Sequence, residues 1–234
     1  MNSNDFKIAS LQASIFTPVI LFSKSRILER LMSKFADSFD GDTLSIPLPE
    51  DAPKGIPRIT LHSADQKLKL EIAESRVNFY RYRKDDDIKI DKSQFLDLFC
   101  GILEQYKDCS PSTIGRLALV VVKSLENKDP GSTLARHFCK DKWIVELFNR
   151  PDNFEIHSHK NYILEGFNVN SWVRCKTGRL TRNNEPIILV TQDINTLAED
   201  LKKKDFSLEQ VRTFLAIAYK EQEHILRKYF PEEE

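Results

Sequence analysis

The segment Thr113-Ile-Gly-Arg-Leu-Ala-Leu-Val-Val-Val-Lys-Ser-Leu125 lies at the midpoint of the 234-residue chain. It is rich in β-branched residues, Pro111 precedes it, and Pro130 follows it. A long apolar run between turn residues is typical of a strand in the interior of a sheet. The sequence therefore predicts a long buried strand at the centre of the chain.

Before this strand, the apolar pattern predicts a strand, a helix, three strands and a second helix. Residues 6–22 alternate as a strand does, and helical spacing follows over 23–41. The four prolines of 46–57 predict a surface connection or, alternatively, a polyproline arm that binds a partner. Three runs of period two within 58–83 indicate an antiparallel meander, and a capped helix is predicted over 93–107.

The order recurs after the central strand. A helical region is predicted over 132–149, and Ser207 with Gln210 forms a capping box at the start of the last helix. Residues 177–184 have the composition of a turn or an exposed loop. Three strands are predicted between the two helices: 154–159, 162–175 and 186–194.

Each half thus reads strand, helix, three strands, helix. The chain is predicted to be an α+β protein of two β-α-β-β-β-α units, 1–110 and 111–234, within one continuous domain. All strands are predicted to form one large curved antiparallel sheet with long amphipathic helices on one face, because this arrangement buries the apolar side of every helix. This outline is similar in topology to the saddle of the TATA-binding protein and, more distantly, to helix-grip domains.

Composition restricts the classes of function. Lys plus Arg and Asp plus Glu both number 35, so the net charge is zero, whereas nucleic-acid-binding domains are usually basic. No stretch of eighteen apolar residues is present, and the first ten residues lack the pattern of a signal peptide. The four cysteines contain no Cys-x-x-Cys pair, which is typical of free thiols in a reducing cytosol. We therefore expect a cytoplasmic protein with no membrane association.

Several short motifs are spread over nearly the whole chain: Phe16-Thr-Pro-Val19, Pro57-Arg-Ile-Thr-Leu61, Arg76-Val-Asn-Phe-Tyr-Arg81, Arg116-Leu-Ala-Leu119, Ile188-Leu-Val-Thr-Gln-Asp-Ile194 and Phe230. Together they resemble an uncharacterised, sporadically distributed family of bacterial proteins of about this length. The chain departs from that family at Val121-Val-Lys123, where the family has an aromatic residue and Asn. The patchy distribution is similar to that of genes in antiviral-defence or toxin–antitoxin islands. The resemblance therefore implies an antitoxin-like or accessory subunit whose partner is a neighbouring-gene product.

No catalytic motif is present. The chain has no Gly-x-Ser-x-Gly, no Gly-rich phosphate loop and no His-Glu-x-x-His, so neither catalytic residues nor a cofactor are predicted. His157 and His159 share one face of a strand and could bind a metal if His137 or Cys175 supplied a third ligand. Alternatively, His157 and His159 are exposed strand histidines that bind nothing. Asp85–Asp87 is predicted to be a solvated charge run.

The most concentrated basic and aromatic stretch supplies the candidate binding residues: Tyr162, Trp172, Arg174, Lys176, Arg179 and Arg182. Aromatic and basic side chains together can stack on bases and hold phosphates. Arg and Trp also dominate the hot spots of protein interfaces, and a solvated hairpin end is the third interpretation. The first hypothesis is a non-enzymatic protein-interaction or regulatory module. The alternatives are a nucleic-acid-binding saddle that uses 172–182 and a metal-dependent enzyme that uses His157 and His159.

Overall fold

The computed structural model describes residues 1–18, 23–49, 51–85, 87, 89–110, 112–180 and 183–232. The strands are β1 (Lys7–Phe16), β2 (Thr43–Ser45), β3 (Ile59–His62), β4 (Leu68–Ile72), β5 (Arg76–Tyr82), β6 (Arg116–Glu126), β7 (Glu155–Leu164), β8 (Phe167–Arg179) and β9 (Pro186–Thr196). The helices are α1 (Lys24–Phe35), α2 (Lys92–Cys109), α3 (Pro130–Phe138), α4 (Asp141–Glu146) and α5 (Leu208–Tyr229). Two short 3-10 helices span Ser3–Asp5 and Ala198–Asp200.

The nine strands form one sheet in the order β2-β3-β4-β5-β1-β6-β9-β8-β7, and each neighbouring pair is antiparallel. The predicted α+β class with one large antiparallel sheet is confirmed. Strands β1 to β5 lie on one side of the sheet and β6 to β9 on the other, and the two groups meet where β1 pairs with β6. The predicted buried central strand is therefore β6.

One face of the sheet carries the core. Ala13, Phe79 and Leu119 are paired across β1, β5 and β6, so they point to the same side, and all three are 0% exposed. They belong to one apolar cluster with buried residues of α1, α2 and α5, while Leu134 of α3 packs on β8 and β9 in a second cluster. The helices that contribute to the core therefore lie on one face, as predicted.

The helix α5 is fixed to the sheet by polar contacts as well as apolar ones. The predicted capping box forms, because the Ser207 hydroxyl accepts from the Gln210 N–H and the Gln210 side chain accepts from the Ser207 N–H. Near the middle of the helix, the buried Gln222 amide donates to the carbonyl oxygens of Leu119 (2.9 Å) and Gln192 (3.0 Å). These bonds set the position of α5 over β6 and β9.

Several boundaries differ from the sequence prediction. The predicted strand 162–175 is two strands, because Glu165 and Gly166 form a tight turn with φ of 43° and 87° between β7 and β8. The predicted helical region 132–149 is two short helices, and α4 buries none of its residues. Part of the predicted loop 177–184 belongs to β8, and the short edge strand β2 was not predicted. The described parts of 46–57 contain neither helix nor strand, in agreement with the prediction of a connection.

Within the described residues, every helix is too short or too polar to cross a bilayer.

Candidate functional site

The face of the sheet opposite the core clusters forms the candidate site, and we call it the open face. Side chains that pair directly across antiparallel strands lie side by side, so the register arranges this face in rows that run across the sheet. The aromatic row crosses eight strands: His62, Lys69, Tyr80, Gln12, Val120, Asp193, Trp172 and His159. It places aromatic residues on both sides of the central pair of strands.

A parallel row two residues away is mainly polar. The polar row crosses all nine strands: Leu44, Thr60, Glu71, Asn78, Ser14, Ala118, Asn195, Asn170 and Asn161. Its central members are covered by their neighbours, since Ser14, Asn78 and Asn195 are only 2%, 3% and 4% exposed. Hydroxyl and amide groups therefore cross the centre of the open face, interrupted only by Ala118 within this row.

Two stacked tyrosines form one wing of the open face. The rings of Tyr80 and Tyr82 lie 5.8 Å apart with an interplanar angle of 6°. The Tyr80 hydroxyl donates to Glu71 Oε2 (3.0 Å), and Lys69 forms an ion pair with the same carboxylate. Burial and the adjacent Glu71 charge raise the pKa of Tyr80, so this hydroxyl stays protonated and donates a hydrogen bond.

Glu71 itself stays charged. Burial acts to raise the pKa of Glu71, but its hydrogen bond and ion pair with Lys69 and its hydrogen bonds from Tyr80 and Asn78 outweigh burial, so the pKa lies below its ordinary value. The carboxylate and the ammonium group of this wing are therefore already neutralised by each other.

Trp172 forms the other wing and packs against two histidines of β7. The centroid of its ring system lies 3.9 Å from that of His159 at an angle of 14°, and 4.9 Å from that of His157 at 37°. Beside this stack, Arg174 donates through Nε and Nη2 to both carboxylate oxygens of Glu155, the second at 3.0 Å. The hydrogen bonds and charge of Arg174 hold the pKa of Glu155 below its ordinary value, although burial acts weakly in the opposite sense. This wing too presents an aromatic surface beside a compensated ion pair.

A carboxyl group occupies the centre of the open face. Burial raises the pKa of Asp193, and the hydrogen bond from Asn195 (2.9 Å) and the charge of Arg116 only partly offset this. Arg116 donates to Asn195 Oδ1 (2.6 Å) and to the Thr196 carbonyl (3.0 Å), and its guanidinium lies over the Phe16 ring. The guanidinium group of Arg116, near the centre of the open face, is therefore already bonded to protein groups.

The structure brings together three of the predicted binding residues. Trp172, Arg174 and Lys176 alternate along β8 and point to the open face. Arg179 lies at the end of β8, where its Nη1 donates to the Asn184 carbonyl (3.0 Å). Arg182 lies outside the described residues.

Tyr162 does not join this group. In the register it pairs with the buried Val169, so it points to the helix side, where its hydroxyl donates to Glu221 of α5 (3.1 Å). Burial raises the pKa of Tyr162 to about 12. The sequence places Tyr162 near Trp172 along the hairpin, but the alternation of the strand directs the two rings to opposite faces.

The predicted third metal ligands are also on the helix side. Cys175 is buried in the second core cluster, and His137 hydrogen-bonds through Nε2 to the Tyr229 carbonyl (2.7 Å) and stacks on Phe230. His157 and His159 pack against the Trp172 ring on the open face. In the described part of the chain, no group of three His, Cys, Asp or Glu side chains is arranged to hold a metal ion.

A second exposed apolar surface lies on and beside α4. Trp143, Val145 and Leu147 are 45%, 73% and 70% exposed. The sequence predicted one helical region over 132–149, but the first helix ends at Cys139 and α4 buries none of its residues.

No family model matches the chain, and no curated protein matches it. A solved structure with some likeness is the di-domain ARO/CYC StfQ from the steffimycin biosynthetic pathway. It is 10% identical, covers 94% of this chain and 97% of its own, and has a TM-score of 0.18. A TM-score this low indicates neither the fold nor the function of the protein described here.

Proposed function

We propose that the protein is a non-enzymatic protein-interaction module whose open face binds a partner protein. The observation that carries the proposal is the aromatic row, in which Tyr80 and Trp172 flank the central strands. Lys69 and Arg174, which lie beside these rings, are already paired with carboxylates. Aromatic side chains are enriched in the centres of protein interfaces, and charged residues are depleted there.

The state of the cations favours a protein partner over nucleic acid. Phosphate binding requires Lys and Arg side chains that can exchange counterions for phosphates. On the open face, Lys69 is held by Glu71 and Arg174 by Glu155, so a phosphate would have to displace a carboxylate at each wing. The half-buried Asp193 stands between the wings and would repel a phosphate whenever it is charged.

The polar row suits a protein partner as well. The central amides are buried and bonded to their neighbours, since Asn170 donates to Asn195 Oδ1 (3.2 Å) and Asn78 donates to Glu71 Oε2 (3.4 Å). Asn161 is exposed and Asn170 is partly exposed, so these two amides can donate to and accept from another chain. Groups of this kind can pair with the backbone or amide side chains of another chain without burying a net charge. The resemblance to a patchily distributed bacterial family supports a neighbouring-gene product as this partner and a regulatory or antitoxin-like role for the module.

Site-specific photocrosslinking tests the proposal. A photoreactive phenylalanine analogue replaces Gln12, which lies at the centre of the aromatic row, and a matched probe replaces Lys220, which is exposed on α5. Each protein is coexpressed with the products of the adjacent genes and irradiated. We expect a defined crosslink from position 12 and none from position 220. If both positions crosslink equally, the interface is not on the open face. The same conclusion follows if a partner copurifies but does not crosslink to position 12.

One specific observation favours the nucleic-acid alternative: apart from the extra edge strand β2, the strand order is symmetric about the β1–β6 pair, with an aromatic wing on each side. It predicts salt-dependent retention on DNA or RNA that is lost when Arg174, Arg179 and Arg182 are changed to Glu. Absence of retention at low salt would exclude this alternative.

A further inference from the structure

A cavity on the helix side of the sheet is lined by more basic than acidic residues. It has a volume of about 720 Å3 and lies where the start of β1, the segment before α2 and the helix α5 come together. We call it the basic pocket. Its charged lining residues are Lys7, Arg83, Lys89, Lys92 and Lys123 on the basic side and Asp91 and Glu223 on the acidic side.

This surplus of positive charge is not a general property of the surface. The chain as a whole has a net charge of zero. A cavity of about 470 Å3 near the start of α2 has the opposite character, because Asp37, Asp40, Asp65 and Asp91 line it against Lys67 and Arg81. The basic pocket is therefore a local concentration of cations within a neutral protein.

Both acidic residues of the basic pocket are engaged by protein groups. Asp91 caps α2, since its Oδ1 accepts from the N–H groups of Ser93 (2.8 Å) and Gln94 (3.2 Å). Glu223 accepts from Lys123 Nζ at 2.6 Å. Lys123 therefore neutralises Glu223, while Asp91 keeps its charge, and Arg83, Lys89 and Lys92 outnumber it in the lining.

The basic pocket is anchored in the fold rather than formed by mobile surface side chains alone. Lys123 is 4% exposed and projects from the central strand β6. Lys92 Nζ lies 4.4 Å from the centroid of the Tyr219 ring, which is itself buried on α5. Lys89 is exposed at the rim, where its side chain can turn toward an anion. Lys7 pairs with Ser124 in the register, so its side chain points away from Lys123 toward the other face.

Apolar groups complete the lining. Phe6, Ile90 and Tyr219 are buried, and Ile8 is partly buried. A cavity of this volume is within the range of small-molecule sites, which combine apolar walls with a few polar groups that fix orientation. Neighbouring cations with an aromatic wall suit a ligand that has a phosphate group and a ring.

We propose that the basic pocket binds a phosphorylated small molecule of nucleotide size. Arg83, Lys89 and Lys92 contact the phosphates, and Tyr219 and Ile8 contact the ring. The site is separate from the open face, and it does not depend on the function proposed for that face.

Isothermal titration of the full chain at low salt tests this site with ADP, pyrophosphate and adenosine as probes. We expect ADP to bind, adenosine not to bind at the same concentration, and pyrophosphate to bind more weakly than ADP. Changing Lys89 and Lys92 together to Ala should weaken ADP binding at least about tenfold, because each charge-assisted bond to a phosphate contributes substantially to affinity.

The matched control changes two exposed lysines outside the basic pocket, Lys34 and Lys220, to Ala. These changes remove the same total charge and should leave the affinity for ADP within about twofold, since exposed charges at a distance are screened. The proposal is overturned if the pocket variant and the control variant lose affinity for ADP equally. It is also overturned if neither ADP nor pyrophosphate binds at millimolar concentration. Pyrophosphate that binds as tightly as ADP would overturn the role given to the apolar wall.

Discussion

Tyr80 and Trp172 lie on one row of the sheet, with the three strands β1, β6 and β9 between them. At the usual spacing of strands, the row separates their backbones by about 19 Å along the sheet. A partner that contacts both side chains must therefore cover the central strands, and binding energy should be concentrated at these two positions.

Changing Trp172 to Ala should weaken binding of the partner by about 2 kcal/mol or more, which corresponds to about 30-fold in Kd. The reason is that Trp172 supplies a large stacked surface and is still 37% exposed in the free protein. Titration with the purified partner measures the change, and thermal unfolding should show little loss of stability.

The matched control is Trp143→Ala on α4, where the ring is 45% exposed. It removes a side chain of the same size from a different surface. A larger loss of binding for Trp143→Ala than for Trp172→Ala would move the interface from the open face to α4.

Gly115 provides a second prediction, which concerns stability. A Cβ at this position would lie 1.9 Å from the carbonyl oxygen of Leu201, closer than any real contact. Gly115→Ala should therefore lower the free energy of unfolding by about 2–3 kcal/mol, the upper range for overpacking, because backbone has to move. Gly55→Ala is the control, since its Cβ would meet nothing nearer than 3.8 Å. Urea unfolding of both variants tests the difference, and similar midpoints would contradict the close approach at Gly115.

Local patterns were enough to predict most of the elements. The Ser207–Gln210 capping box and the apolar spacing after it predicted the start of α5 to within a residue. The turn at Glu165–Gly166 was missed because apolar and polar residues alternate on both sides of it, so the pattern reads as one strand. The break before α4 was missed because Trp143 and Leu147 continue the apolar spacing although they end up exposed.

The rows of the open face could be predicted only in part. Alternation alone puts Tyr80 and Tyr82 on one side of β5 and Trp172 with Arg174 on one side of β8. Gln12 and Asp193 connect these wings because of the register of β1, β6 and β9. These three strands are far apart in sequence. Register between distant strands follows from tertiary packing, and a single sequence does not encode it in any local signal.

Asp87 gives a prediction on pH. The sequence interpretation treated Asp85–Asp87 as a solvated charge run, but the side chain of Asp87 is 9% exposed and forms ion pairs with Arg81 and Lys67. Burial acts to raise the pKa of Asp87, yet hydrogen bonds from Arg81 (2.8 Å) and the Lys84 N–H (2.9 Å) outweigh it, so the pKa lies far below its ordinary value. A carboxyl group of this kind stabilises the fold above its unfolded-state pKa of about 4, and that contribution disappears as the pH falls toward the folded-state pKa.

We therefore expect Asp87→Asn to lower the free energy of unfolding by about 1–3 kcal/mol at pH 7, in line with hydrogen bonds to charged groups. The difference from the wild type should shrink as the pH is lowered from 5 to 2. Urea unfolding across this range measures it, with Asp51→Asn, an exposed carboxyl on the proline-rich connection, as the control. A difference that stays constant with pH would mean that the charge of Asp87 does not stabilise the fold.

The cysteines should differ in reactivity. Cys175 is 0% exposed, and burial raises the pKa of its thiol to about 12, whereas Cys139 is partly exposed at the end of α3. Since the thiolate is the reactive form, iodoacetamide at pH 8 should label Cys139 in the native protein and Cys175 only after denaturation. Peptide mass spectrometry identifies the labelled sites. Labelling of Cys175 at the rate of Cys139 would show that the second core cluster opens readily.

The last prediction concerns the pair formed by Gln222 of α5 and Gln192 of β9. Gln222 Nε2 donates to the Gln192 carbonyl, and Gln192 Nε2 donates to the Gln222 carbonyl (2.7 Å), while the side-chain oxygens of both have no hydrogen-bond partner in the described structure. Gln222→Leu should lower the free energy of unfolding by about 1–2 kcal/mol, because it removes the two bonds that Gln222 donates to buried carbonyls.

Changing both glutamines to Leu should cost less than the sum of the two single changes, because both unpaired oxygens are then removed and the remaining surfaces are apolar. Urea unfolding of the two single variants and the double variant gives the coupling free energy, which we expect to be about 1 kcal/mol. Additive losses would mean that the two side chains act independently, and the contact between α5 and β9 would then be held by the apolar residues around them rather than by this reciprocal pair.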